Sequence, residues 1–233
     1  MIGTESYYLR PEVSNSDLTS LMDKERLYDL EQVYRFGNLV DAMITDTERV
    51  NHLSKQVDGV QFTGSEWQLA YDMLQAFRKD DFCMSILRMS EGQRVFHNQE
   101  FTIEHEGMIF RLPMRCKTDL YVGSMNLIND IKSTACTSQR QFEDSISYFD
   151  YDRQGSLYLD LSGADKFMFI GISKANPHKI FKMAIRRGDD IYKLGKRKYE
   201  ELSFKWYCLF SSFQTTESFH VESGFSVKGG GGG

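Results

Sequence analysis

One change of hydrophobic period constrains this chain more than any other feature. Up to about residue 80 the apolar residues recur at helical spacing, and from about 93 to 133 they alternate. The alternating stretch, "QRVFHNQEFTIEHEGMIFRLPMRCKTDLYVGSMNLINDIKSTA", is punctuated at Glu106-Gly107 and Gly123-Ser124. That pattern predicts three consecutive antiparallel strands, about 93–105, 108–121 and 126–133. Strands of this kind each expose an apolar face, and the helices before and after must cover it.

The flanking segments supply those helices. Ser14 with Asp17 three residues on is a capping-box-like start for "SNSDLTSLMDKERLYDL". In "YRFGNLVDAMITD", Phe36, Leu39, Val40 and Met43 share a helical face. Thr63 and Glu66 form a second capping box, followed by the stripe Trp67, Ala70, Tyr71, Leu74 and Phe77. After the strands, helical spacing returns over roughly 139–161. "DKFMFIGISK" and "KIFKMAIRR" read as strands, and "DDIYKLGKRKYEELSFKWYCLF" as a long helix. The expected fold class is α/β, a mixed central sheet flanked by helices with further helices at the N-terminus. Residues 1–228 are expected to form a single domain, although 211–228 carry no pattern. The "GGGGG" at 229–233 reads as a linker or remnant.

Composition narrows the functional classes. No run approaches the roughly 20 apolar residues a membrane helix needs, so no membrane partner is expected. The start, "MIGTESYYLRPE", has no apolar signal-peptide core. Cys83, Cys116, Cys136 and Cys208 are dispersed without a CxxC pair, which argues against a zinc knuckle or a disulfide framework. A cytoplasmic protein with reduced thiols is the simplest expectation. The net charge of −5 argues against polyanion binding by whole-molecule charge. "RLPMRCK" and "KIFKMAIRRGDDIYKLGKRKYEE" are locally basic and read either as a groove or as ordinary solvated faces.

The third strand raises the chemical question. Asp130 and Lys132 sit two apart and so project from one face. They read either as a surface ion pair or as half of a metal-dependent active site. Asp119 lies near the end of the second strand, so a hairpin about Gly123 brings its carboxylate to the same end as Asp130. Two adjacent carboxylates repel, and a divalent cation removes the conflict. Hard oxygen ligands suit Mg²⁺ or Mn²⁺, with the Ile131 carbonyl as a further ligand. Lys132 fits as a group that orients a water or stabilises charge on a phosphate.

"TDLYVGSMNLINDIKST" resembles motifs II and III of the PD-(D/E)XK nuclease superfamily. The order of helix, three strands and helix is similar to that superfamily's restriction-endonuclease-like core. "YDRQGSLYLD", with Gln154 and Tyr158 one helical turn apart, resembles the QxxxY motif of the RecB-like branch. "PEVSNSDL" and "YRFGNLVDAMI" resemble the N-terminal helices of phage and prophage exonucleases of the RecE (exonuclease VIII) type. Together these matches cover residues 11 to about 160.

The resemblance implies specific roles. Asp119 and Asp130 hold the catalytic metal and Lys132 positions or activates water. Gln154 and Tyr158 line a DNA cleft, while Arg35 and the weaker candidate Ser16 contact phosphate. Asp41 stands where the family often has histidine, sometimes glutamate, and is a third metal ligand or else an exposed helix charge. Glu100 supports the ligands from behind or is simply solvated. Arg111, Arg115 and Lys117, with the residues around Arg186 and Arg187, form a basic face along the DNA backbone. The cofactor implied is Mg²⁺, with Mn²⁺ able to substitute. Some branches carry an iron–sulfur cluster on four cysteines, but the scattered cysteines here argue against one. The activity implied is exonucleolytic hydrolysis from duplex DNA ends in phage-type recombination, with a single-strand annealing protein as partner and a homo-oligomeric ring as a plausible assembly. An endonuclease of restriction or repair type, or a non-catalytic DNA-binding protein on the same fold, are the alternatives.

Overall fold

A computed structural model describes residues 7, 9–22 and 30–211. The glycine tail, residues 212–228 and the later part of the first predicted helix lie outside the described residues. The Ser14 box forms, with the Ser14 amide donating to Asp17 Oδ2 at 2.8 Å, and starts the short helix α1, Asn15–Thr19. Helix α2 spans Leu30–Thr45. A small meander of β1, Val50–Asn51, β2, Gln56–Val57, and β3, Val60–Gln61, joins it to α3, Gly64–Lys79. The Thr63–Glu66 box caps α3. Its buried face is Ala70, Met73, Leu74 and Phe77, so Tyr71 of the expected stripe faces solvent. Asp80 then caps a separate helix, α4, Asp81–Met89, which the periodicity did not reveal.

The strands follow: β4, Glu91–Gly92, β5, Val95–His105, β6, Met108–Lys117, β7, Leu120–Val122, and β8, Leu127–Thr134. The second predicted strand is therefore two strands. β6 pairs with β5 in a two-stranded sheet, while β7 pairs with β4 and β8 in a five-stranded one. The corner is Thr118 and Asp119. Thr118 donates its amide to the Arg94 carbonyl at 2.9 Å, and Gln93 donates its amide to the Asp119 carbonyl at 3.0 Å. Burial alternates without a break from Cys116 through Val122. Periodicity could not show a corner whose phase continues on both sides.

The expected helix at 139–161 is likewise two, α5, Gln139–Tyr148, and α6, Tyr151–Ser162. Asp150 breaks them with a left-handed backbone, φ 56°. Strands β9, Lys166–Ser173, and β10, Ile180–Arg186, and helix α7, Asp190–Phe210, complete the described chain. The five-stranded sheet runs β10-β9-β8-β7-β4, with β8 and β9 parallel and the other pairs antiparallel. The parallel pair needs a long crossover, which α5 and α6 supply. The fold is a mixed α/β layered one.

The sheet separates two apolar layers. Leu127, Ile131, Met168 and Ile170 face Leu39, Met43, Met73 and Phe77. Ile128, Phe167 and Phe169 face the other way, toward Phe142, Leu157 and Tyr199 and the β5–β6 ribbon. Alternation on β8 thus sends Asp130 and Lys132 to the side of α6. That helix packs closely on α7. A Cβ built on Gly195 would stand 2.1 Å from the Asp152 carbonyl oxygen and 2.5 Å from Ser156 Oγ. Among the described residues no helix is long and apolar enough to cross a membrane.

Gly195→Ala tests this packing. At an exposed helical position that change stabilises by about 1 kcal/mol. Here the two helices must separate, and a loss of about 2 kcal/mol is expected. Thermal denaturation reads it as a fall in Tm, and an unchanged or raised Tm would contradict the close approach.

Candidate active site

β7 reaches no further along β8 than Leu120, its first residue, whose register partner is Asn129, so β8 continues past its neighbour. Beyond that point the Ile131 amide has no strand partner on this side. It donates instead to Asp119 Oδ2 at 2.7 Å. A strand residue directs its N–H and C=O to the same side, so the Ile131 carbonyl also opens toward Asp119. Across the face, Asp130 Oδ1 accepts from Gln154 Nε2 at 2.6 Å. Asp130 Oδ2 lies 2.6 Å from Lys132 Nζ, yet no donor meets that buried oxygen with hydrogen-bond geometry. The Lys132 ammonium stands 4.8 Å over the Tyr151 ring. Its side chain keeps 20% of its surface exposed against 5% for Asp130, so the site opens on the lysine's side.

Asp41 enters from α2. Its Oδ1 accepts from Thr45 Oγ1 at 2.9 Å and its Oδ2 from Gln93 Nε2 at 3.3 Å. Gln93, whose amide also binds the Asp119 carbonyl, therefore ties Asp41 to the corner. Sequence reasoning missed Gln93, since only its place before an alternating run marked it. The contact of Tyr151 with Lys132 likewise had no local signal.

The three carboxylates act on one another. Burial, then Asp41 and Asp130, push the Asp119 carboxyl well above its ordinary range, against Lys132 and the Ile131 amide. Burial also raises Asp41, with Asp130 adding to it and Thr45 and Arg49 opposing it. For Lys132, burial works against the charge, but Asp130, Tyr151 and Asp119 outweigh it and the pKa rises. Among the described residues no three His, Cys, Asp or Glu side chains stand together as a finished metal cage. The donor set nonetheless fits a hard cation that keeps several waters. Asp119, Asp130 and the Ile131 carbonyl are oxygen donors, Asp130 Oδ2 lacks a regular donor, and the mutual repulsion is what a divalent charge relieves.

Other expected residues are placed differently. Tyr158 shares the face of Gln154 but is buried against Phe167 at 5.8 Å between centroids. Arg35 donates to the Gln61 carbonyl at 3.1 Å, pairs with Glu66 and lies over Phe62. Ser16 is exposed in the first turn of α1, 2.8 Å from Ser14 Oγ. Glu100 is exposed and pairs with Arg111 at 3.1 Å. The continuous basic face is not formed as expected. Arg115 is buried and donates to the Arg10 carbonyl, because the Arg10–Ser14 segment runs beside β6 through a Val13–Met114 bridge. Arg187 is folded back onto the Leu159 and Ala164 carbonyls at the end of α6.

Comparison with known proteins bears on the fold and the family. A family model described as a PDDEXK-like domain of unknown function (DUF3799) matches residues 18–209. No curated protein matches the sequence. Among solved structures, a candidate exonuclease from Eubacterium rectale is similar at 17% identity with a TM-score of 0.51. The match covers 76% of this chain and 66% of that one, so the chain spans just under two thirds of its length. A phage-related exonuclease from Haemophilus somnus 129PT is similar at 16% identity over 60% of this chain and 69% of that one, TM-score 0.39. An alkaline exonuclease from Laribacter hongkongensis is similar at 15% identity over 87% and 93%, TM-score 0.33. At these identities the first likeness concerns the fold alone, and the other two are too distant in shape to support more.

The raised carboxyls set a sign for stability. The folded chain holds protons that the unfolded chain releases, so metal-free stability falls as pH rises from about the ordinary carboxylate value through the raised folded ones. A divalent cation binds the ionised forms, so its stabilising effect grows with pH. Mg²⁺ is expected to raise Tm more at pH 8 than at pH 5. Asp119→Asn, which keeps an acceptor for the Ile131 amide, should raise the metal-free Tm by roughly 2–4 °C, the shift about 1 kcal/mol makes in a domain of this size. It should also remove most of the Mg²⁺ response. Scanning calorimetry with and without Mg²⁺ reads all three, and a Tm lowered by Asp119→Asn would refute the repulsion.

Proposed function

The chain belongs to the family of PDDEXK-like domains of unknown function (DUF3799), and from that premise we propose that it is a metal-dependent nuclease acting on DNA. The observation that carries the proposal is the meeting of Asp119, Asp130 and Lys132 where β7 ends, with Gln154 fixing Asp130. Asp119, Asp130 and the Ile131 carbonyl would hold Mg²⁺, or Mn²⁺ in its place, with Asp41 as a further carboxylate close enough to act on Asp119. Such an ion supplies charge stabilisation at phosphoryl oxygens and an acidified water.

The chain's own residues do the rest. Lys132 is held as an ammonium, so it donates. It orients the attacking water and neutralises charge on the phosphate. Gln154 holds the Asp130 carboxylate in one orientation and leaves Oδ2 for a ligand. Thr45 and Gln93 orient Asp41 through its two oxygens. The reaction is hydrolysis: water adds to phosphorus in line and the opposite P–O ester bond breaks. End-dependent attack on duplex DNA, in a phage-type recombination role with an annealing partner, is the finer form of the proposal. That finer form rests on the resemblance of the sequence motifs around Asp119, Asp130, Lys132, Gln154 and Tyr158.

One observation favours a second reading, a DNA-binding protein without activity. Lys132 lies against Asp130 at 2.6 Å and neutralises it. Incubation of the full chain with linear and closed-circular duplex DNA in Mg²⁺ or Mn²⁺ separates the two. Degradation of the linear form is expected, lost by about 100-fold or more in Lys132→Ala and by roughly 10–100-fold in Gln154→Ala. Intact DNA under all conditions would establish the second reading. Equal cutting by Lys132→Ala would refute the assigned site.

A further inference from the structure

The turn between α5 and α6 presents aromatic rings to solvent beside the candidate site. Tyr148 is 74% exposed and Phe149 51% exposed. Burying a ring of this size is favourable, yet Tyr148 leaves most of its surface in water and Phe149 about half. They do not sit apart from one another. Tyr148 and Phe149 meet edge to face at 4.9 Å, and Phe149 lies 5.7 Å from Tyr151. Tyr151 in turn carries the Lys132 ammonium over its face at 4.8 Å. The rings therefore form an unbroken path from open solvent to the cation of the site.

The turn that displays them is held firmly. Asp150 is locked in a left-handed conformation. Lys198 grips both of its flanks, 2.7 Å from Asp150 and 2.9 Å from Asp152. Tyr34, 56% exposed on α2, is close enough to affect Tyr151 electrostatically and extends the aromatic rim. Charge selects what such a surface can hold. Glu143 and Asp144 lie exposed on α5 just before the rings, so phosphates are disfavoured there, whereas uncharged bases are not. Lys132 attracts the phosphate at the other end of the path.

From this arrangement we infer that Tyr148 and Phe149 are a stacking platform for unpaired bases of the strand whose phosphate reaches Lys132. The substrate presented to the site is then a single-stranded or frayed end, because a base inside a duplex has no free face to stack on a side chain. This inference rests on the nuclease reading for the role of Lys132, but the platform is measured by binding alone.

The test is fluorescence anisotropy with the full chain and Ca²⁺ as the divalent cation, using labelled (dT)12 and an abasic 12-mer of the same charge. The wild-type chain should bind the base-bearing strand about 5-fold or more tightly than the abasic one. Tyr148→Ala with Phe149→Ala should abolish that preference and leave abasic affinity unchanged, while Tyr148→Phe retains it. Equal binding of both strands by the wild-type chain, or a preference that survives loss of both rings, overturns the platform. So does a double variant that alters only self-association in sedimentation, which would make the patch an interface between copies. The nuclease reading stands or falls separately, on Lys132-dependent cutting of linear DNA.

Discussion

An amide without a strand partner organises this molecule. β8 is the central strand, and the three residues of β7 beside it pair only as far as Asn129, so the Ile131 N–H must find an acceptor elsewhere. A buried amide left unpaired costs about 1–3 kcal/mol, and the Asp119 carboxylate meets that need. This single bond draws a charged group into the sheet at the level of Asp130. It also leaves the Ile131 carbonyl facing the same opening. The corner at Thr118–Asp119, which transfers the chain from the β5–β6 ribbon to the five-stranded sheet, is the backbone condition for it.

Bringing carboxylates together in a protein interior opposes folding, and the surroundings show how that is contained. Lys132 lies against Asp130, Gln154 donates to its other oxygen, and Gln93 and Thr45 hold Asp41. Each restraint comes from a different element, β8, α6, the β4–β5 turn and α2. Such a cluster is not placed for stability, since apolar side chains would serve a sheet better there. On the proposed function its meaning is chemical. Helix α6 is the hub of this arrangement. Gln154 reaches Asp130, Tyr158 packs against Phe167, and Asp160 accepts from Tyr192 and Tyr199 of α7 at 2.8 Å and 2.5 Å.

The two sides of the site differ in character. The floor is polar, charged and nearly closed, while the rim at the α5–α6 turn is aromatic and open. Lys132 belongs to both, against Asp130 below and over Tyr151 beside it. Three of the basic residues expected to meet the DNA backbone serve the fold instead. Arg35 braces the start of α3, Arg115 lies under the N-terminal segment, and Arg187 closes the end of α6.

What the sequence by itself determined is what depends on neighbours along the chain. The Ser14 and Thr63 caps form because a box closes within four residues. Asp130 and Lys132 share a face because a strand repeats every two, and Gln154 and Tyr158 because a helix turn spans four. The mixed α/β layering follows from the same periods. Only the tertiary structure decided where these faces lead. The split of the second strand, the parallel β8–β9 pairing, the Gln93–Asp41 bond and the burial of Arg115 all join residues far apart in the chain or change direction without changing phase. A period records which way a side chain points relative to its own backbone, not which distant segment will be there. That choice is made by closing loops around a shared core, where the burial of one surface sets the partners of the next.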